Sequence, residues 1–138
     1  MSNLRLSVIV FVFFIVGATF PSIGFAQSAK EKRKASYQAA LKMYSEALKP
    51  GMTRTEVEGY LRSKGAAFTV QLEGISGEDS GGLERVKVGN EKHPWYCSEN
   101  AVYIAFHFEA VRPDQMMTPS SADTLKSITI YNQAETCL

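Results

Sequence analysis

The chain has 138 residues, 15 basic and 14 acidic, with 45% hydrophobic residues and two cysteines. That length holds one domain, and near-neutral charge gives no electrostatic footprint for nucleic acid. A structural zinc site usually takes four Cys or His ligands, and the two cysteines and two histidines of this chain would all have to serve, Cys137 included.

The N-terminal stretch reads as an export signal. Arg5 precedes an almost wholly apolar run, Leu6 to Phe20, and Gly24-Phe25-Ala26 has the small-x-small form of a cleavage site. The run is shorter than the roughly 20 residues a spanning helix needs, so residues 1–26 are read as a cleaved signal peptide cut after Ala26. An uncleaved anchor is the competing reading. Residues 27–138 then form a single domain, periplasmic or secreted, with no transmembrane span. Without Arg5 the remaining basic and acidic residues balance.

Ser28 to Lys34 is polar and basic, a solvated helix start or a frayed tail. From Ala35, Tyr37, Leu41, Tyr44 and Leu48 recur every three or four residues and predict an amphipathic helix, ended by Pro50-Gly51. Thr53 and Glu56 form a capping-box pair for a second helix, and Met52 and Val57 are placed as a hydrophobic staple. Val57, Tyr60 and Leu61 give that helix an apolar face, and Gly65 stops it.

Strands follow. Phe68, Val70 and Leu72 alternate with polar residues, and the glycine-rich 74–82 stretch reads as a hairpin connection, since it lacks the Gly-Lys-Ser/Thr ending of a phosphate loop. Leu83 to Val88 is a second strand. Trp95-Tyr96-Cys97 is a short strand start broken at Ser98-Glu99-Asn100, with the two aromatics expected to pack over a disulfide. Ala101 to Ala110 alternates most cleanly of all, Val111 to Ala122 is a long loop, Leu125 to Asn132 is the last strand, and Gln133 to Leu138 is a tail. Together these predict an α+β domain: two N-terminal helices packed on one face of an antiparallel sheet of about four strands.

Leu48, Gly51-Met52-Thr53, Glu56-Val57 and Leu61, followed by Gly65 and strands, form a pattern that resembles the SmpA/OmlA (BamE-like) family and the related β-lactamase-inhibitor-protein fold. The resemblance covers residues 48–65. It implies two helices on an antiparallel sheet in an exported bacterial protein that binds other proteins and does no chemistry. The outer-membrane members are lipoproteins with a cysteine at the processing site, and this chain has none there.

Cys97 and Cys137 are an even pair in an exported chain, which predicts one disulfide. A Cys–His nucleophile pairing Cys97 with His93 or His107 needs a free thiolate, which oxidation removes. Glu56 and Glu58 diverge on their helix, and no hydrolase or metalloprotease motif is present. We therefore assign no catalytic residue, no metal and no cofactor. If the strand registers hold, Arg85, Lys87, Tyr103, His107, Thr129 and Tyr131 point away from the helices and form a candidate protein-binding face; the competing reading is a wet sheet face. The functional expectation is an exported protein-binding or envelope-assembly module with an unidentified protein partner in the cell envelope. The alternatives are a small periplasmic Cys–His enzyme and a purely structural envelope protein.

Overall fold

A computed structural model describes residues 28–72, 81–112 and 118–137. The signal-peptide reading of residues 1–26 and most of the glycine-rich 74–82 connection lie outside the described residues, as does the middle of the 111–122 loop.

Helix α1 spans Ala29–Ala47 and starts six residues before the apolar repeat does. Ser28 explains this. Its hydroxyl accepts from the Glu31 backbone N–H while the Glu31 carboxylate accepts from the Ser28 N–H, so the basic stretch is capped helix rather than a frayed tail. Helix α2 spans Arg54–Ser63 and carries the same device at Thr53 and Glu56, with the Thr53 N–H donating to the Glu56 carboxylate at 2.7 Å. Gly65 takes φ +66°, the left-handed stop expected of it.

Four strands follow in a meander: β1 (Phe68–Gln71), β2 (Leu83–Glu91), β3 (Cys97–Glu109) and β4 (Thr124–Cys137). All neighbours are antiparallel and the order across the sheet is β1-β2-β3-β4. The fold is α+β, with both helices preceding the sheet in the chain. β3 is unbroken through Ser98, Glu99 and Asn100, because Cys97, Glu99 and Asn100 pair with Cys137, Glu135 and Ala134 of β4, and 133–137 belongs to β4 rather than to a tail.

The core lies between the helices and one sheet face. Tyr44, Leu48, Val57 and Leu61 meet Val86, Ile104, Phe106, Phe108 and Leu125. Met52 packs against the same cluster as Val57. Tyr44 sets its edge on Phe106, ring centroids 5.3 Å apart, a favoured aromatic arrangement. Two register shifts break the simple alternation. One sits at Val88, so that Gly89 pairs with Val102. The other sits at Lys126, so that Phe108 pairs with Leu125.

The Pro50-Gly51 corner is joined to the sheet. Gly51, at φ +92°, donates its N–H to the Leu125 carbonyl, Leu125 donates back to the Met52 carbonyl, and Thr53 bridges Thr124. The first free N–H groups of α2 are taken up next door: Arg54 donates to the Asp123 carbonyl and Thr55 to the Ser121 carbonyl. No helix among the described residues is long and apolar enough to cross a membrane.

Candidate functional site

The sheet face away from the helices carries the odd-numbered residues of β3, because side chains alternate along a strand. In register, Lys87 faces Tyr103 and Arg85 faces Ala105 on β2, while Tyr131, Thr129 and Ser127 face Tyr103, Ala105 and His107 on β4. The six residues picked out from the sequence therefore share this face.

Its centre is built around Tyr103. The Arg85 guanidinium lies over the Tyr103 ring at 4.3 Å, and Tyr131 stacks alongside it, centroids 5.7 Å apart and planes 27° apart. Arg85 reaches across β3 from β2 to β4, donating to the Tyr131 hydroxyl at 3.4 Å and to the Gln133 side chain, with its Nε turned back to Thr69 at 3.2 Å. Small side chains make this crossing possible. Ala101 and Ala105 flank Tyr103 on the same face and are fully buried beneath their neighbours. Tyr103 is only 7% exposed, so it supports the face instead of presenting itself to a partner. Its hydroxyl donates to the Glu135 carboxylate. Burial, with that carboxylate beside it, pushes the phenol up to about 12.

Charges complete the surface. Glu99 and Glu135 stand opposite each other, which alone would be repulsive. Lys87 bridges to Glu99 at 2.5 Å and holds that carboxyl below the usual range, while Glu135 takes the Tyr103 proton donor. His107 pairs its Nε2 with the Thr129 hydroxyl at 2.8 Å. Thr69, Glu99, Gln133 and Glu135 were missed from the sequence. For the last two the signal was parity: had β4 been carried past Asn132, Gln133 and Glu135 would have fallen on this face.

Cys97 and Cys137 lie at the end of the same face, directly opposite in register and joined as a disulfide. In that form Cys97 has no thiolate to attack with. His107 is ten residues further along the same strand, roughly 33 Å of extended chain, and so cannot serve Cys97 as a base. His93 sits in the β2–β3 turn with its Nδ1 against the Pro94 carbonyl. Among the described residues there is no group of three or more His, Cys, Asp or Glu that could hold a metal ion. The neighbouring aromatics differ from expectation. Trp95 is 90% exposed and touches Tyr96 edge-on at the turn, so it does not cover the disulfide.

A second polar group lies inside the molecule. Arg54, the first residue of α2, is buried with Glu84 of β2 and Asp123 just before β4. Its Nη1 donates to Glu84 Oε1 at 2.6 Å, its Nη2 lies 3.5 Å from Asp123 Oδ2 and also donates to the Gly81 carbonyl, and its Nε donates to the Ser120 carbonyl at 3.2 Å. The guanidinium also covers the Phe108 ring at 4.0 Å. Asp123 accepts from the Val111 and Ser120 N–H groups. These contacts tie both loop ends to α2, which makes the group a structural hub with no exposed reactive atom. Compared with known proteins, the chain matches no family model, no curated protein and no solved structure.

Proposed function

We propose that the protein is an exported, non-catalytic binding module that docks a protein partner in the cell envelope through the open face of its sheet. The observation that carries this reading is the Arg85–Tyr103–Tyr131 sandwich, in which the contact side chains are already held by hydrogen bonds and stacking. Side chains fixed before association lose less entropy on binding, and Tyr and Arg are the residues interfaces favour. Export rests on the apolar leader sequence, and the resemblance of residues 48–65 to exported binding proteins points the same way.

Photo-crosslinking in producing cells tests it. A photoreactive residue at Thr129, on the open face, is expected to give one discrete protein adduct, and Arg85→Ala with Tyr131→Ala is expected to abolish it. The same residue at Lys42, on the far side of α1, should give none. An absent Thr129 adduct, or the same adduct from Lys42, would rule the proposal out.

A further inference from the structure

The sheet-facing stripe of α1, Tyr37, Tyr44 and Leu48, continues toward the helix start through positions 30, 33 and 34. A helix seated on a sheet normally keeps this stripe apolar. Here the positions hold Lys30, Arg33 and Lys34. The helix start consequently does not close onto the sheet. A groove of about 530 Å³ remains, with Lys30 and Lys34 on one wall and half-buried Ile130 beside buried Val102 on its floor. A second hollow of about 460 Å³ shares Lys30 and adds Arg33. Tyr37 fixes the inner end, its hydroxyl donating to the Asn90 carbonyl at 2.9 Å.

Two features point to a ligand. Arg33 is half-buried, and its Nε, shielded from water, has no hydrogen-bond acceptor among the described residues, a costly state for a charged group's donor. The two hollows are also lined by four cations, Lys30, Arg33, Lys34 and Lys92, against one carboxylate, Glu91, and none of the four forms an ion pair among the described residues. A bare inorganic anion would leave the apolar floor uncovered. A neutral apolar molecule would leave Arg33 Nε without an acceptor. The volume falls within the roughly 300–1,000 Å³ of small-molecule sites.

We propose that the groove and the second hollow, which share Lys30 and Glu91, together bind a small amphipathic anion, its apolar body over Ile130 in the groove and its carboxylate, phosphate or sulfate head among Lys30, Arg33 and Lys34. The site lies on the helix side of the sheet and is independent of the open face.

Nuclear magnetic resonance on the full chain, titrated with laurate below its micelle concentration and separately with inorganic phosphate, tests this. Laurate is expected to shift the Arg33 Nε–H and Ile130 methyl signals together in one saturable step, and phosphate is expected to leave Ile130 unmoved. Arg33→Gln with Lys34→Gln should weaken laurate by roughly tenfold or more, the loss of charge-assisted hydrogen bonds, while Lys42→Gln leaves it unchanged. Equal shifts of both signals with phosphate would show an ion-only site and overturn the proposal. So would undiminished laurate affinity in a double variant whose remaining spectrum shows the native fold.

Discussion

Glu84 is fully buried, and its Oε2 has no donor among the described residues, although Arg54 holds its Oε1. Burial pushes this carboxyl up; Arg54 pulls it partly back, and neighbouring Glu58 pushes it up further. A carboxyl raised in the fold binds protons better folded than unfolded. Its contribution is therefore complete below the ordinary value of 4.5 and is lost as pH rises through the raised one. Glu84→Gln keeps the acceptor for Arg54 and does not ionise. The melting temperature of wild type minus that of Glu84→Gln is accordingly expected to be larger at about pH 5 than at about pH 7, and an equal difference at both would contradict the assignment. Glu56 works in the opposite sense. The Thr53 backbone and side-chain hydrogen bonds hold its carboxyl down, so its capping contribution is present above 4.5 and fades as pH falls through the lowered value. Arg54→Met strands Glu84 and Asp123 as unpaired buried charges and is expected to cost about 3–5 kcal/mol in chemical denaturation. A loss below about 1 kcal/mol would mean that Arg54 is not the hub described, since that is the range of an ordinary surface pair.

At the scale of elements, the seat of α1 depends on a residue with no side chain. A Cβ on Gly89 would lie 2.6 Å from Tyr37 Cε1, and the Tyr37 ring is buried and tethered to Asn90, so it has little room to yield. Gly89→Ala is expected to cost about 1–3 kcal/mol, and less in a Tyr37→Ala background, which equilibrium unfolding of the four proteins would measure. Strict additivity would refute the contact. Gly89 also marks the limit of what the sequence reveals. The Tyr37–Leu48 repeat, the Thr53–Glu56 box and the alternation from Ala101 to Ala110 depend on local spacing, and they appear in the structure where expected. The register shift at Val88 depends on what the opposite strand offers, and no spacing within β2 announces it. Arg54 was hidden for a related reason. An arginine at a helix start reads as solvent-exposed, and its partners lie 30 and 69 residues away. The Ser28–Glu31 box was legible, and the charged run around it obscured the signal.

Across the whole molecule, the open face could be found because strand alternation is a parity rule, and six odd positions on three strands need only the correct pairing to converge. That Tyr103 is sandwiched rather than exposed could not be read from the sequence, since it follows from Arg85 and Tyr131 reaching over a strand thinned by two alanines. The sulfur link spans 40 residues of sequence, so replacing Cys97 and Cys137 with serine is expected to lower stability by about 2–5 kcal/mol by thermal or denaturant unfolding, though the cluster between helices and sheet contains neither of them. β4 is held at its start by the Gly51–Thr53 corner and at its finish by Cys137. The last strand of a small domain ordinarily frays from its loose terminus, and amide protons there exchange with solvent through that cheap local opening. With both extremities fastened, the route is closed. Deuterium uptake at the hydrogen-bonded amides of 131–135 should track opening of the entire domain, and only reduction of the sulfur link should uncouple the two.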